Sequence, residues 1–345
     1  MHPRVLPESF RLRPSGSLPG LGVAVALMVS LAGCGGDSAE RKASPTTDAP
    51  FERPEGPLPE GAEAWSFLGQ ALYPPPLPME VRGAREEDLE AALRDRSDDP
   101  EDPELWIWVG RHKAYLGEYR EAVTTFSEGL ERFPEDARFL RHRGHRWITL
   151  RELELARQDL RAATEGMQET GGEIEPDGLP NPAGIPLTTL AFNAWYHLAL
   201  AEYLAGDFEA ALSSWEATLA VSGNPDLQSA SRYWLHLTLR RLGKEARAAE
   251  VAAAVSADDE LLENHTYRDL LLHFRGDLPA EAVLPADGEG LASVTALYGL
   301  GIHALLEGDE VEAFRRFQEI LDRPDQWPAF GYVAAEVEMA RRGRR

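Results

Sequence analysis

Hydrophobic patterning divides the chain into regions with different structural expectations. Residues 18–31 are almost continuously apolar, with Arg4, Arg11 and Arg13 ahead of them and Leu31-Ala32-Gly33-Cys34 behind. Positive charge, a short apolar core and small residues before a cut form the pattern of a secretory signal over residues 1–33. The core is too short for an ordinary membrane-spanning helix. Residues 34–60 are rich in Gly, Ser, Pro, Thr and charge, which predicts a tether with no packed core. Beyond it the apolar positions return at helical spacing. Residues 62–73 and 86–96 read as two amphipathic helices on either side of Pro74-Pro75-Pro76. From residue 103 the spacing predicts helices in pairs.

The pairs repeat in one register. Gly110, Ala122 and Phe126 recur 34 residues later as Gly144, Ala156 and Leu160, and a further 55 residues on as Ala199, Ala211 and Trp215. Gly301, Ala313 and Phe317 follow after another 102, three times 34. Small residues in two columns let paired helices approach closely, and the third column fills the wedge between them. The period and the small–small–aromatic order resemble the tetratricopeptide repeat. In the first copy Trp106, Gly110, Gly117, Tyr119, Ala122, Phe126, Leu130 and Pro134 all stand where that pattern wants them.

This resemblance, over about residues 103–343, implies an all-α fold: a right-handed superhelical solenoid of helix pairs with N-terminal capping helices at 61–102. Two units fall in 103–170, an inserted loop in 171–191, and further units in 192–327. Two of the latter, at about 229–258 and 262–285, are degenerate. Residues 328–345 read as a C-terminal helix capping the exposed end. The four residues ending at Cys34 resemble the bacterial lipobox, which implies that the thiol takes a diacylglycerol and becomes the new N-terminus. The chain would then be lipid-anchored in the cell envelope on the periplasmic face. Gly35, where an inner-membrane retention signal would place Asp, leans toward the outer membrane.

Composition narrows the chemistry. With 35 basic against 58 acidic residues, the formal charge of −23 has the wrong sign for a nucleic-acid binder. A single cysteine excludes an intrachain disulfide, a thiolate zinc cluster and a CxxC redox pair. There is no GxSxG, no HExxH and no phosphate-cradling glycine loop followed by Lys-Ser/Thr. No enzyme, cofactor or metal is therefore expected. His142 and His145 share a helix face, but zinc needs three or four converging ligands, and flanking arginines repel a dication.

The repeat resemblance implies that the first helix of each pair lines a concave groove. The register then nominates Trp108, Arg111 and Tyr115 in the first unit and Arg138, Arg141, His142 and His145 in the second. Tyr196, His197 and Tyr203 are nominated in the third, with Asn193 beside them and Tyr233 and Trp234 following. The run from Arg138 to Arg146 packs four arginines and two histidines into nine residues of an acidic protein. Guanidinium forks flanked by rings suit a carboxylate. The same arginines could equally be solvated ion pairs, and the rings could be wedge fillers. Arg143 stands where the repeat wants a buried apolar side chain, so it must pair with a buried carboxylate or extend outward along its neighbours. The leading expectation is a scaffold binding a peptide or protein partner, an acidic one suiting the arginine run. The alternative is a small anionic ligand with the 171–186 insertion as a lid, and an enzyme comes third. An open groove would favour the peptide, and a pocket closed by the insertion would favour the ligand.

Overall fold

Helix starts follow from the sequence. Asp102 and Asp136 accept backbone N–H groups two residues on; Thr189, Asp207, Asn224 and Asp309 do the same three residues on. The computed structural model describes residues 54 and 56–343, apart from 168–171, 179–180, 287 and 289. The signal segment, Cys34 and most of the tether lie outside the described residues.

A short hairpin comes first, β1 (Ala64–Trp65) paired antiparallel with β2 (Ala71–Leu72). Then follow α1 (Met79–Asp98), α2 (Pro103–Tyr115), α3 (Tyr119–Arg132), α4 (Ala137–Thr149), α5 (Leu153–Gly166), α6 (Leu190–Ala205), α7 (Phe208–Ala220), α8 (Pro225–Arg241), α9 (Glu245–Ala253), α10 (His265–Phe274), α11 (Ala280–Val283), α12 (Gly290–Leu306), α13 (Glu310–Leu321) and α14 (Phe330–Arg341). Helices α2 to α13 form six successive pairs, each packed on the next. The repeated columns do what their size requires. A Cβ at Gly110 would overlap the Phe126 ring and one at Gly144 the Leu160 side chain, while Ala122, Ala156, Ala199, Ala211 and Ala313 are fully buried. Among the described residues no helix is long and apolar enough to cross a membrane.

Two features differ from the expectation, and a third has no counterpart in it. Residues 62–73 form the hairpin instead of a helix. Ala62, Ala64 and Ser66 are buried in alternation, the period of a strand. Ser66 Oγ accepts the Leu68 and Gln70 N–H groups to turn the chain at Gly69. Only the second expected N-terminal helix exists, as α1.

The second difference is α14, which covers the last helix pair as a cap would but also folds back over earlier helices. It packs on α12, α13 and α6, and its residues from Gly331 to Met339 are all buried. Arg341 donates to the Leu204 carbonyl at the end of α6 at 2.9 Å, and Arg241 at the end of α8 pairs with Glu338. Helix α14 thus runs across the first helices of the pairs.

The third feature secures α14. The turn between paired helices takes positive φ at Gly117 (85°) and Gly206 (89°), but the equivalent residue after α4 is Arg151, with φ 66°. Such a backbone disfavours a side chain by about 1–2 kcal/mol. Here the side chain grips α14: Arg151 Nε and Nη2 donate to the two Glu336 carboxylate oxygens at 3.1 and 3.0 Å. Its Nη2 also reaches the Trp327 carbonyl at 2.9 Å. Glu336 in turn accepts the Phe67 N–H of the hairpin at 3.3 Å, so α14 ties together both ends of the described fold.

Candidate functional site

With α14 in place, a half-open pocket of about 380 Å³ remains over the first helices. Residues of α2, α4, α6, α8, α10 and α12 line it, together with Phe330 and Gly331 at the start of α14 and residues 175–178 of the insertion. The insertion is fastened down. Its two ends pair at Ile174 and Thr189, Glu175 N–H donates to the Thr188 carbonyl at 2.9 Å, and Asn181 donates to Glu263 at 2.7 Å. A Cβ at Gly178 would overlap the Tyr115 hydroxyl, so a larger residue there would displace that side chain.

Polar groups gather at one side. Glu175, carried inward by the insertion, is almost fully buried. It accepts Arg141 Nη2 at 2.9 Å and Asn193 Nδ2 at 2.9 Å. Arg141 Nη1 donates to His142 Nδ1 at 2.9 Å, which makes that nitrogen the unprotonated one. Burial, and then repulsion from Arg141, holds the His142 imidazole well below its ordinary pKa. His145 and His197 are also depressed well below the ordinary value, first by burial and then by neighbouring arginines. Their rings lie 4.1 Å apart, a contact that two imidazolium ions would not tolerate. His197 Nδ1–H donates to the Asn193 carbonyl at 2.5 Å.

The charges do not balance. Arg111 donates Nε to the Tyr115 hydroxyl at 3.2 Å and Nη2 to the Pro176 carbonyl at 2.8 Å, with its guanidinium 4.2 Å from the Trp108 ring centroid. Arg146 lies with its guanidinium 5.5 Å from the Tyr119 ring centroid, and burial is the first cause bringing its pKa down to about 10. Among the described residues no carboxylate lies within ion-pair distance of Arg111 or Arg146. Glu175 is already engaged by Arg141, so the two guanidiniums of the lining, Arg111 and Arg141, have one buried carboxylate between them, and Arg146 stands outside the lining. Uncompensated buried charge is costly unless something pairs with it.

The other side is aromatic. Trp234 Nε1 donates to the Tyr196 hydroxyl at 2.8 Å, which also lies 3.3 Å from the Tyr267 hydroxyl. The Phe330 ring packs on His145 and His197 at 5.4 and 5.6 Å. Tyr233 is fully buried and its hydroxyl has no hydrogen-bond partner among the described residues.

Of the residues nominated by the repeat register, Arg111, Tyr115, Arg141, His145, Asn193, Tyr196, His197, Tyr233 and Trp234 line this cavity. The other four do not. Trp108 stacks beneath Arg111 outside the lining, and His142 sits behind Arg141 against Phe126, ring centroids 5.5 Å apart. Tyr203 is a core residue whose hydroxyl meets that of Tyr298 at 3.1 Å. Arg138 is held at the start of α4 by Asp136 at 2.6 Å and Glu104 at 2.7 Å. Its expected place in the groove is therefore corrected: it is an ion-paired surface arginine. Arg143 takes the first of its two expected fates, with Nε and Nη2 donating to the Asp159 carboxylate at 2.7 and 2.8 Å. Site residues that the repeat register did not nominate are Glu175, Tyr267, Tyr298 and Phe330. Only the last depends on α14 folding back; the aromatics on α10 and α12 stand in degenerate or distant copies of the repeat.

Comparison with known proteins agrees with the repeat reading. The family described as tetratricopeptide repeat matches residues 109–170. Among solved structures, the crystal structure of YrrB, described as a TPR protein with an unusual peptide-binding site, is similar. It has 14% identity and a TM-score of 0.41, covering 70% of this chain and 96% of that one. No curated protein gives a significant match.

Proposed function

We propose that this chain, a tetratricopeptide-repeat protein of a fold typical of interaction scaffolds, binds a small anionic ligand in the half-open pocket between its first helices, its insertion and α14. One observation carries the reading: Arg111 and Arg141 line the cavity, and Glu175, the buried carboxylate beside them, is already engaged by Arg141. An anion there recovers the missing pairing in a sheltered setting, where charge-assisted hydrogen bonds contribute about 1.5–3 kcal/mol each. A peptide laid along the first helices, the leading expectation from the repeat, meets α14 already in that place. Insertion residues 175–178 serve as the lid of the ligand reading. The chain binds its ligand without transforming it, and it does so at the cell envelope, anchored through lipid on Cys34.

The test is to purify the full chain gently, denature it and analyse the released small molecules by negative-ion mass spectrometry, with an Arg111→Met variant in parallel. An acidic compound recovered from the parent and depleted from the variant is expected. Equal recovery from both would overturn the reading.

A further inference from the structure

We infer that the ligand is an aromatic monocarboxylate, its carboxylate seated against Arg111 and Arg141 and its ring body held against Tyr196, Tyr267 and Phe330, with Tyr233 and Trp234 packed behind them. This rests on the anionic reading above and adds to it the charge number and the nature of the body.

The charge number follows from the lining. Two guanidiniums, Arg111 and Arg141, face one engaged carboxylate, Glu175, so a single negative charge completes the balance and a phosphate dianion exceeds it. Asp177 and Glu263, the remaining carboxylates of the lining, are half-buried and exposed, where water screens them. The donors still open suit a planar acceptor with two oxygens. Arg111 has committed Nε and Nη2 but not Nη1, and Arg141 Nε is buried with no partner among the described residues. A carboxylate can therefore accept at one oxygen from each guanidinium, bridging Arg111 and Arg141 in place of a fork on either.

The body follows from the opposite wall, which is rigid. Tyr196 meets Trp215 edge-on at 5.1 Å, Trp215 stacks on Trp234 at 6.0 Å with planes 4° apart, and Tyr233 meets Trp234 edge-on at 5.1 Å. The hydrogen bond between Trp234 and Tyr196 fixes two of these rings. A further ring extends this array with about 0.5–1.5 kcal/mol per ring pair beyond its buried area, whereas an alkyl chain gains the area alone. The size agrees: roughly 150 Å³ holds benzene, and a space of about 380 Å³ takes a fused pair of rings with a carboxylate.

Three probes separate these points by calorimetric titration of the full chain: 1-naphthoate, octanoate (same charge, aliphatic body) and 1-naphthylmethanol (same rings, no charge). Naphthoate is expected to bind at one per chain and at least tenfold more tightly than either other probe. Arg111→Met should weaken naphthoate at least tenfold and leave naphthylmethanol unchanged. Octanoate binding as well as naphthoate would overturn the aromatic body while the anionic reading survives. Naphthylmethanol binding as well as naphthoate, or no probe binding at all, would overturn both. Should the variant fail to fold, the three-probe comparison on the parent chain still decides.

Discussion

Replacing Glu336 with Gln should release α14 from the repeats far more than it unfolds the repeats themselves. The carboxylate is 1% exposed, and the Arg151 side chain that holds it is fully buried. Arg151 also donates to the Thr149 and Trp327 carbonyls, so it cannot follow the lost charge into solvent without breaking those bonds. Removing one partner of a buried ion pair typically costs about 3–5 kcal/mol, because the other charge stays behind unpaired. That energy falls on the docking of α14, not evenly on six helix pairs that gain stability from their own neighbours. Helix α14 therefore leaves before the array melts. Hydrogen exchange at the Gly331–Met339 amides is the assay, and a loss of 3 kcal/mol corresponds to exchange about a hundredfold faster or more. The partner change, Arg151→Gly, also loses the pair but recovers about 1–2 kcal/mol from the positive φ, so its acceleration should be smaller. Exchange in α14 that stays within twofold of the parent in Glu336→Gln would refute the clamp.

Three further outcomes are expected. Because His142, His145 and His197 are held neutral when folded, the unfolded chain binds more protons below about pH 6.5. Stability should then fall by about 1.4 kcal/mol per histidine for each pH unit below that value; a melting temperature that is flat or rising from pH 7 to 5 would contradict the burial described. Gly110→Ala places a methyl group in the Phe126 ring and should cost about 1–3 kcal/mol in denaturant unfolding, while Arg138→Ala should leave probe binding unchanged. Cys34→Ser should release the chain from membranes on fractionation, and unchanged membrane association would remove the lipid anchor.

The helix pairs were legible because their constraint is local and steric. Gly110 under Phe126 and Gly144 under Leu160 each need a small residue opposite a large one, and the 34-residue step shows this without any knowledge of tertiary contacts. The fate of Arg143 was half legible: burial demanded a carboxylate, and Asp159 waits 16 residues later on the adjacent helix. The hairpin was missed because residues 62–73 satisfy a helical spacing of apolar positions while their burial alternates. Helix α14 could not be placed, since a helix buried on every side carries no amphipathic face to say what it packs against. Arg151 is a visible break in a column of turn glycines, yet its purpose appears only when α14 brings Glu336 back across 185 residues. Half of the site follows the same logic. Arg141 and Tyr196 come from the repeat register, whereas Glu175 comes from an insertion whose sequence gives no sign of where it lands.

The decisive measurement is the melting temperature of the full chain in millimolar benzoate and in benzamide at constant ionic strength, for the parent and for Arg111→Met. A ligand that binds only the folded state raises stability by mass action, and these two molecules share a ring and differ in charge. Benzoate should raise the parent's melting temperature, benzamide should not, and the variant should respond to neither. Equal stabilisation by the two, or a benzoate effect that survives the loss of Arg111, would show that the clustered guanidiniums do not make this cavity an anion site.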